Sequence, residues 1–392
     1  MAKTKNELSD ELGSLIATTI NKQFKEQNLK TAYFLEGDTD APTIVKEWIG
    51  SGSTILDLAI SNRKDGGFPV GRVCEITGLE QSGKSLLASH VLLNTQKKGG
   101  FAVYIDTENA LSTEYLTAIG LDLKQMLYIP LETVEDIFET IDVIIDKIRS
   151  SDKNRLVTIV VDSIAGASTK TEMSADFDKD GYATAKALII SKAMRKITNL
   201  IGRERICLII TNQLRQKLNA PAFSDPWTTP GGKGIPFHAS VRIRLSSIGA
   251  IKVKVDGHDQ IVGSRVKAKL VKNRVGPPLR ECEYEVYFDS GIDDYSSWLT
   301  TMKDYKLVDQ AGAWYSWTNK KSGEVIKFQS KEFVEKLITV PENKEMIYDE
   351  IADKVIMKYQ QLDTPRIDDV IISDEVPFDD VWEVNTQKYW MR

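Results

Sequence analysis

One octapeptide limits what this chain can fold into more than any other segment. Gly78-Leu79-Glu80-Gln81-Ser82-Gly83-Lys84-Ser85 fits the phosphate-loop pattern G-x-x-x-x-G-K-[ST]. Upstream, Gly71 to Thr77 reads as a short strand; downstream, Leu86 to Gln96 reads as a helix rich in Leu, Ala and Val. A strand that enters a glycine loop and leaves as a helix aims several backbone N–H groups at one point. The helix N-terminus adds partial positive charge there. Lys84 would reach the β- and γ-phosphates and the Ser85 hydroxyl would bind Mg²⁺. A plain glycine-rich turn explains the loop without its flanks, so the expectation is a nucleoside triphosphate.

The residues that follow alternate strand and helix. Phe101 to Ile105 is a strand running into Asp106-Thr107-Glu108, Val134 to Ile148 an amphipathic helix, and Leu156 to Val161 an apolar run ending in Asp162. Tyr182 to Leu200 is a second long helix, and Ile206 to Ile210 a strand ending in Thr211-Asn212-Gln213. Strands apolar on both faces between helices predict a mostly parallel α/β sheet covered on both sides, with ligands beyond the strand C-termini. After residue 240 the pattern turns β-rich: Ser240 to Ser246, Ile251 to Val255, Ser264 to Lys272 and Glu281 to Phe288 read as hairpins extending the sheet, with Asp256-Gly257 as a turn.

Chemistry gathers at the predicted strand ends. Asp162 is placed to hold Mg²⁺ through water opposite Ser85. Glu108 follows a strand expected to neighbour the phosphate-loop strand, where a carboxylate can polarise the water attacking phosphorus. Asp106 competes for that role, although its position points to a structural or Mg²⁺-network residue. Gln213 can donate to a γ-phosphate and pass nucleotide state to the polar loop after it. That loop carries Arg215, Lys217, Phe223, Trp227, Gly231, Gly232 and Lys233. Cations, aromatics and glycines fit single-strand binding; an ordinary active-site lid is the plainer alternative.

Net charge is −5, but its distribution is uneven. Ser191 to Arg280 holds 18 Lys and Arg against 4 acids, and Gln361 to Arg392 holds 8 acids against 3 basic residues. A basic centre with an acidic tail suits a polyanion partner; a solvated basic face explains the centre equally well. The tail, with Pro365 and Pro377, reads as disordered, and its Trp382, Tyr389 and Trp390 as a possible docking motif. No apolar run reaches membrane-span length and no signal peptide is evident, so a cytoplasmic protein is expected. Cys74, Cys207 and Cys282 are isolated and read as buried free thiols; the scattered His90, His238 and His258 argue against zinc. His90 has no evident task. Asn6 to Phe24 carries a helical apolar stripe, and Thr31 to Leu35 is a short apolar stretch. Both pack on their own domain or on a neighbour.

Taken in order, these stretches resemble the RecA recombinase family, nearly collinearly from Asn6 to Tyr359. The resemblance rests on Gly71 to Ile76, Gly78 to Ser85, Tyr104 to Leu111, Val161-Asp162-Ser163, Ser191 to Lys196, Thr211 to Arg215, Ala239 to Arg242, Val271 to Arg274 and Ala311 to Ser316. It implies a RecA-like P-loop ATPase core with an N-terminal oligomerisation helix and a small α+β C-terminal domain. The implied limits are 1–36 for the polymerising helix and strand, 37–290 for the core, 291–360 for the small domain and 361–392 for the tail. It implies an ATP- and Mg²⁺-dependent recombinase forming a helical filament on single-stranded DNA and pairing it with duplex, with single-strand-binding and mediator proteins as partners.

Residue by residue, the resemblance implies that Glu108 is the catalytic carboxylate, Gln213 the γ-phosphate sensor and Tyr115 the ring stacked on adenine. Lys272 and Arg274 would reach the phosphates held by the adjacent protomer, where their charge would serve the transition state. DNA loops would span about Glu172 to Tyr182 and Gln216 to Ile235, Phe237 would pass the ATP signal between protomers, and residues 6–35 would bind the neighbour. Arg195, Lys267 and Lys269 join the loop residues as candidate DNA contacts. The chain departs from the family pattern at Pro236, where a Lys is usual, at Ser112, where an Asp is, and at Phe288, where a Tyr is frequent. A hexameric helicase motor lacks support, with no second ATPase repeat, and a regulatory ATPase would not need Lys84, Glu108 and Asp162 together.

Overall fold

The computed structural model describes residues 5–24, 30–35, 41–152, 154–175, 182–217 and 225–359. Phe223, most of the expected first DNA loop and the acidic tail lie outside the described residues. The chain divides into two compact units, 1–46 and 47–392.

In the first unit the expected helix runs Lys5–Gln23 and leaves Leu12, Leu15 and Ile16 exposed. The expected strand at Thr31 to Leu35 does not form. Asn21 shapes that stretch instead: its Oδ1 accepts the N–H groups of Thr31 and Ala32, and its Nδ2 donates to the Ala32 carbonyl. An Asn side chain that satisfies three backbone groups competes with strand pairing.

The second unit is built on a nine-stranded sheet. Its strands are β1 (Arg72–Gly78), β2 (Phe101–Asp106), β3 (Met126–Pro130), β4 (Val157–Asp162), β5 (Ile206–Gln213), β6 (Val241–Val255), β7 (His258–Asn273), β8 (Glu281–Tyr287) and β9 (Gly291–Asp293). The spatial order is β9-β8-β7-β6-β1-β5-β4-β2-β3; the six from β6 to β3 are parallel and β7 to β9 extend them antiparallel. The strand before Glu108 does not neighbour the phosphate-loop strand, because β5 and β4 lie between them.

Alternation explains the doubly apolar strands. Cys74, Ile76, Ala102, Tyr104, Val160, Cys207 and Ile209 face α1 (Lys84–Lys97) and the helix Thr54–Ser61. Val73, Val103, Ile105, Ile159, Val161, Leu208 and Ile210 face α3 (Val134–Ser151) and α4 (Tyr182–Ile201), with α2 (Thr113–Ala118) lying between β2 and β3 in sequence. The three cysteines are buried free thiols, as their apolar settings predict.

Two expected strands, Ser240 to Ser246 and Ile251 to Val255, are one 15-residue strand, β6, joined to β7 by Asp256 and Gly257 at φ 51° and 84°. Bulges at Arg242/Ile243, Ser247/Gly249 and Ile251/Lys252 absorb the breaks in alternation that made it read as two. The sheet's two edges differ: β3 carries exposed Leu127 and Tyr128, whereas β9 is three residues long and runs into the helix Asp294–Asp304. A three-stranded meander (Asp309–Ala311, Trp314–Thr318, Val325–Gln329) and the helix Pro341–Val355 complete the unit. Among the described residues no helix is long and apolar enough to cross a membrane.

His90, without a task in the sequence, ties the phosphate-loop helix to that edge. Its Nε2 accepts the Ile292 N–H at 3.1 Å, and burial pushes its pKa down to about 4.

Candidate active site

The phosphate loop leaves β1 at Gly78, where a Cβ would lie 2.1 Å from Ser82 Oγ and 2.9 Å from the Leu245 carbonyl. Gln81 and Gly83 take left-handed φ values of 57° and 90°, turning successive N–H groups inward. Helix α1 starts on Gly83 with no side-chain cap, so its first N–H groups remain directed at the loop's centre. The Lys84 ammonium donates to the carbonyls of Leu79 at 2.8 Å and Gly78 at 3.2 Å. Burial lowers its pKa, against the pull of the Asp162, Glu108 and Glu80 carboxylates.

Those carboxylates converge because parallel strands end at one rim of the sheet. Asp162 closes β4 beside Asp106 of β2. Its Oδ2 accepts the Tyr104 hydroxyl and its Oδ1 the Thr211 hydroxyl, each at 2.5 Å. The Ser85 hydroxyl also meets the Tyr104 phenol, so Tyr104 stands between the two residues expected to hold Mg²⁺. A hydroxyl, one carboxylate and room for water suit an ion that keeps much of its hydration shell. Burial and the Asp162 charge push the Tyr104 pKa up, which keeps the phenol a donor.

Glu108 lies just past β2 on a turn braced by Asp106, whose Oδ1 accepts the N–H groups of Glu108 and Asn109. Asp106 Oδ2 accepts from Tyr128, so both of its oxygens hold structure. Ser163 Oγ donates to Glu108 Oε1 at 2.7 Å, and Thr107 Oγ1 donates to the Ser163 carbonyl at 2.7 Å. Gly166 sits beneath: a Cβ there would lie 3.0 Å from Glu108 Cγ.

A cavity of about 310 Å³ opens beside Ser85, and Tyr104, Glu108, Tyr115, Asp162 and Phe288 are among the residues lining it. Tyr115 is half-buried on α2, its hydroxyl without a partner, and Ser112 caps that helix by accepting the Tyr115 N–H. Phe288, noted in the sequence only as a departure, forms part of the wall.

Gln213 pairs in register with Gly78, which puts the end of β5 directly beside the phosphate loop. The segment after it is partly ordered as a two-strand stalk, Arg215–Gln216 against Trp227–Thr228. Asp225 pins that stalk to β6 through Arg244 and accepts the Trp227 N–H. The returning chain is tied down by Asn212, which donates to Glu75 Oε1 and the Pro230 carbonyl, while Glu75 Oε2 accepts from Arg242 at 2.6 Å. Sequence reasoning missed this buried network, whose members lie on three strands. Gly231, Gly232 and Gly234 are pressed on α4: a Cβ on each would come within 2.8, 2.8 and 2.9 Å of Ile190, Ala187 and Ser191. Close packing therefore accounts for these glycines. Lys233 closes this turn as the N-cap of the helix Gly234–His238, and the Lys217 N–H donates to the Pro226 carbonyl.

Lys272 and Arg274 lie away from the phosphate loop. Asn273 pairs with Val241, which pairs with Cys74, whereas Gly78 is paired with Leu245. That offset is roughly 13 Å along the strands and about 9 Å across them. Lys272 donates to the carbonyls of Pro236 and Phe237 at 2.6 and 2.8 Å. After burial, the charges of Lys272, Arg195 and Arg274 lower the His238 pKa, which puts all three around His238 next to an exposed Phe237. Lys267 and Lys269 both pair with Glu281, at 2.5 and 2.9 Å, and Arg265 pairs with Glu283, in a cross-strand ladder between β7 and β8.

Residues 14–293 match the family model described as the RecA N-terminal domain. Over 352 residues the chain is 34% identical to "Protein RecA" of Geobacter metallireducens, covering 90% of this chain and 95% of that one. Over 318 residues it is 33% identical to "Protein RecA" of Chlamydia pneumoniae, covering 81% and 86%. Over 276 residues it is 37% identical to "Protein RecA" of Helicobacter pylori, covering 70% and 76%.

Proposed function

Because this chain belongs to the RecA family, a family of ATP- and DNA-binding recombination proteins, we propose that it is a DNA-dependent ATPase that forms a helical filament on single-stranded DNA and exchanges strands with duplex. One observation carries the reading: Lys84, Ser85, Asp162 and Glu108 meet at a single rim of the sheet, with Gln213 in register beside the loop. Lys84 and the loop N–H groups would bind the phosphates, and Ser85 with Asp162 would hold Mg²⁺. When bound, that ion would neutralise phosphate charge. Glu108, held by Ser163, orients the attacking water and accepts its proton at Oε1 or Oε2. Tyr115 and Phe288 enclose the base.

The cations Lys272 and Arg274 are too far from the protomer's own phosphate loop for one side chain to span, which supports their use on a neighbour's nucleotide. Assembly is supported by complementary surfaces: exposed Leu12, Leu15, Ile16 and Leu35 in residues 5–35, and an apolar groove of Leu127, Val143 and Ile144 beside the open strand β3. Residues 5–35 of one copy would dock on that edge of the next.

The test is ATP turnover with and without single-stranded DNA, combined with electron microscopy. DNA-stimulated turnover in helical filaments is expected, and Glu108→Gln should keep nucleotide while losing roughly 10²–10³-fold in rate. Closed rings that unwind duplex would select a helicase instead, and a Gln variant within a few-fold of wild type would remove Glu108 from the chemistry.

A further inference from the structure

The segment after Asp162 is the platform on which Glu108 rests. Ser163 holds the carboxylate, Gly166 abuts its stem, and the Gly166 N–H donates back to the Ser163 carbonyl at 3.1 Å and Oγ at 3.3 Å. The two carbonyls flanking Gly166 belong to Ala165 and Ala167. Both accept from one ammonium, that of Lys186, at 3.1 Å for Ala165 and closer for Ala167. Lys186 comes from the start of α4, the helix that follows the expected first DNA loop. The next residues on that helix, Ala187, Ile190 and Ser191, receive Gly232, Gly231 and Gly234 from the return of the expected second loop. One helix therefore touches both the Glu108 platform and the base of the loop that begins after Gln213.

We infer that Lys186 is a positioning residue: through its grip on Ala165 and Ala167, the placement of α4 sets the placement of Glu108, so that DNA held by the loops tunes ATP hydrolysis. This rests on the proposed DNA-dependent ATPase. A lysine suits the task because its three donors can hold two carbonyls at once, and a half-buried ammonium pulled off them would be left without them in a poorly hydrated place. Its surroundings agree. Burial lowers the Lys186 pKa, Glu172 opposes that and Arg215, just past Gln213, adds to it, so the ammonium senses groups at both loops. Nothing in the phosphate-loop pattern points to this residue, since it lies outside every stretch that carries the family resemblance.

The experiment compares Lys186→Met and Lys186→Arg with wild type, measuring kcat with and without single-stranded DNA, KM for ATP and Kd for the DNA. In Lys186→Met the ratio of DNA-stimulated to DNA-free kcat should fall at least ~10-fold, while KM and Kd move less than ~3-fold. Lys186→Arg, which keeps a charged donor, should recover most of the ratio. Lys186→Leu, which likewise carries no donor, replaces Met should that variant not fold, with the same fall in the ratio expected. An unchanged ratio overturns the inference, and so does a parallel loss of kcat ratio, KM and Kd, which would make Lys186 a brace of the fold. Absence of DNA stimulation in wild type is a separate outcome: it removes the proposed function, and the inference with it.

Discussion

Tyr104 and Asp162 are joined by a 2.5 Å hydrogen bond across two neighbouring parallel strands, the phenol donating to a carboxylate that also takes the Thr211 hydroxyl. Two hydroxyls on separate strands therefore fix how this carboxylate is presented at the candidate metal site. Tyr104→Phe removes one of those donors without changing the ring. A hydrogen bond to a charged group contributes about 1.5–3 kcal/mol, so apparent Mg²⁺ affinity in ATP turnover should weaken by roughly 10- to 100-fold. A Mg²⁺ titration that superimposes on wild type would show that Asp162 is held by other means.

The offset of Lys272 and Arg274 from the phosphate loop predicts complementation. A doubly substituted Lys272→Ala, Arg274→Ala chain and a Glu108→Gln chain should each be nearly inactive alone. Mixed on single-stranded DNA, they should regain activity, because half the mixed junctions pair an intact Glu108 with an intact neighbour's cations. Activity no greater than the sum of the separate chains would place those cations outside a shared site.

Lys267 and Lys269 share Glu281, so their charge is partly neutralised before DNA arrives. Glu281→Gln should raise duplex affinity several-fold at low salt and steepen its salt dependence, by about 0.9 in the log–log slope for each additional phosphate contact. An unaltered slope would mean that this ladder does not face DNA.

His90 makes a pH prediction with a definite sign. Its folded pKa, about 4, lies below the ordinary 6.5, so between those values the unfolded chain binds the proton and the folded one does not. The His90 contribution is fully present above pH 6.5 and is lost as pH falls toward 4. Asp294, with a pKa raised to about 6 mainly by burial, works oppositely over much of that window. The informative quantity is therefore the stability difference between wild type and His90→Gln. From pH 7 to pH 5 it should shift against wild type by about 2 kcal/mol, read from denaturant titrations. A difference that stays constant with pH would mean that His90 takes up its proton in the folded protein.

What the sequence carried follows from what each signal encodes. The octapeptide Gly78 to Ser85 was legible from its own pattern, and the gathering of Asp162 and Glu108 at one rim from doubly apolar strands, which announce a covered parallel sheet whose C-terminal residues meet there. Strand order was not, since apolar periodicity says which faces are buried but not which strand lies beside which; hence β2 was expected next to β1. Tyr104 and Thr211 were given no role of their own in the sequence because their bonds to Asp162 depend on cross-strand register. The edge strand β3 escaped notice because its apolar run, Met126 to Ile129, is short and ends at once in Pro130. Lys267 and Lys269 looked like uncommitted cations until pairing set Glu281 opposite Lys269 and Glu283 opposite Lys267.

The inequality of the sheet's two edges has a consequence for growth. A strand can be added beside β3, whereas β9 is too short to template one and turns at once into a helix. Any polymer made by docking on β3 therefore has a direction: every copy offers its open edge the same way, and the two ends of the chain of copies expose different surfaces. Such ends need not gain or lose subunits at equal rates. The difference between those two ends is already present in the fold of a single copy.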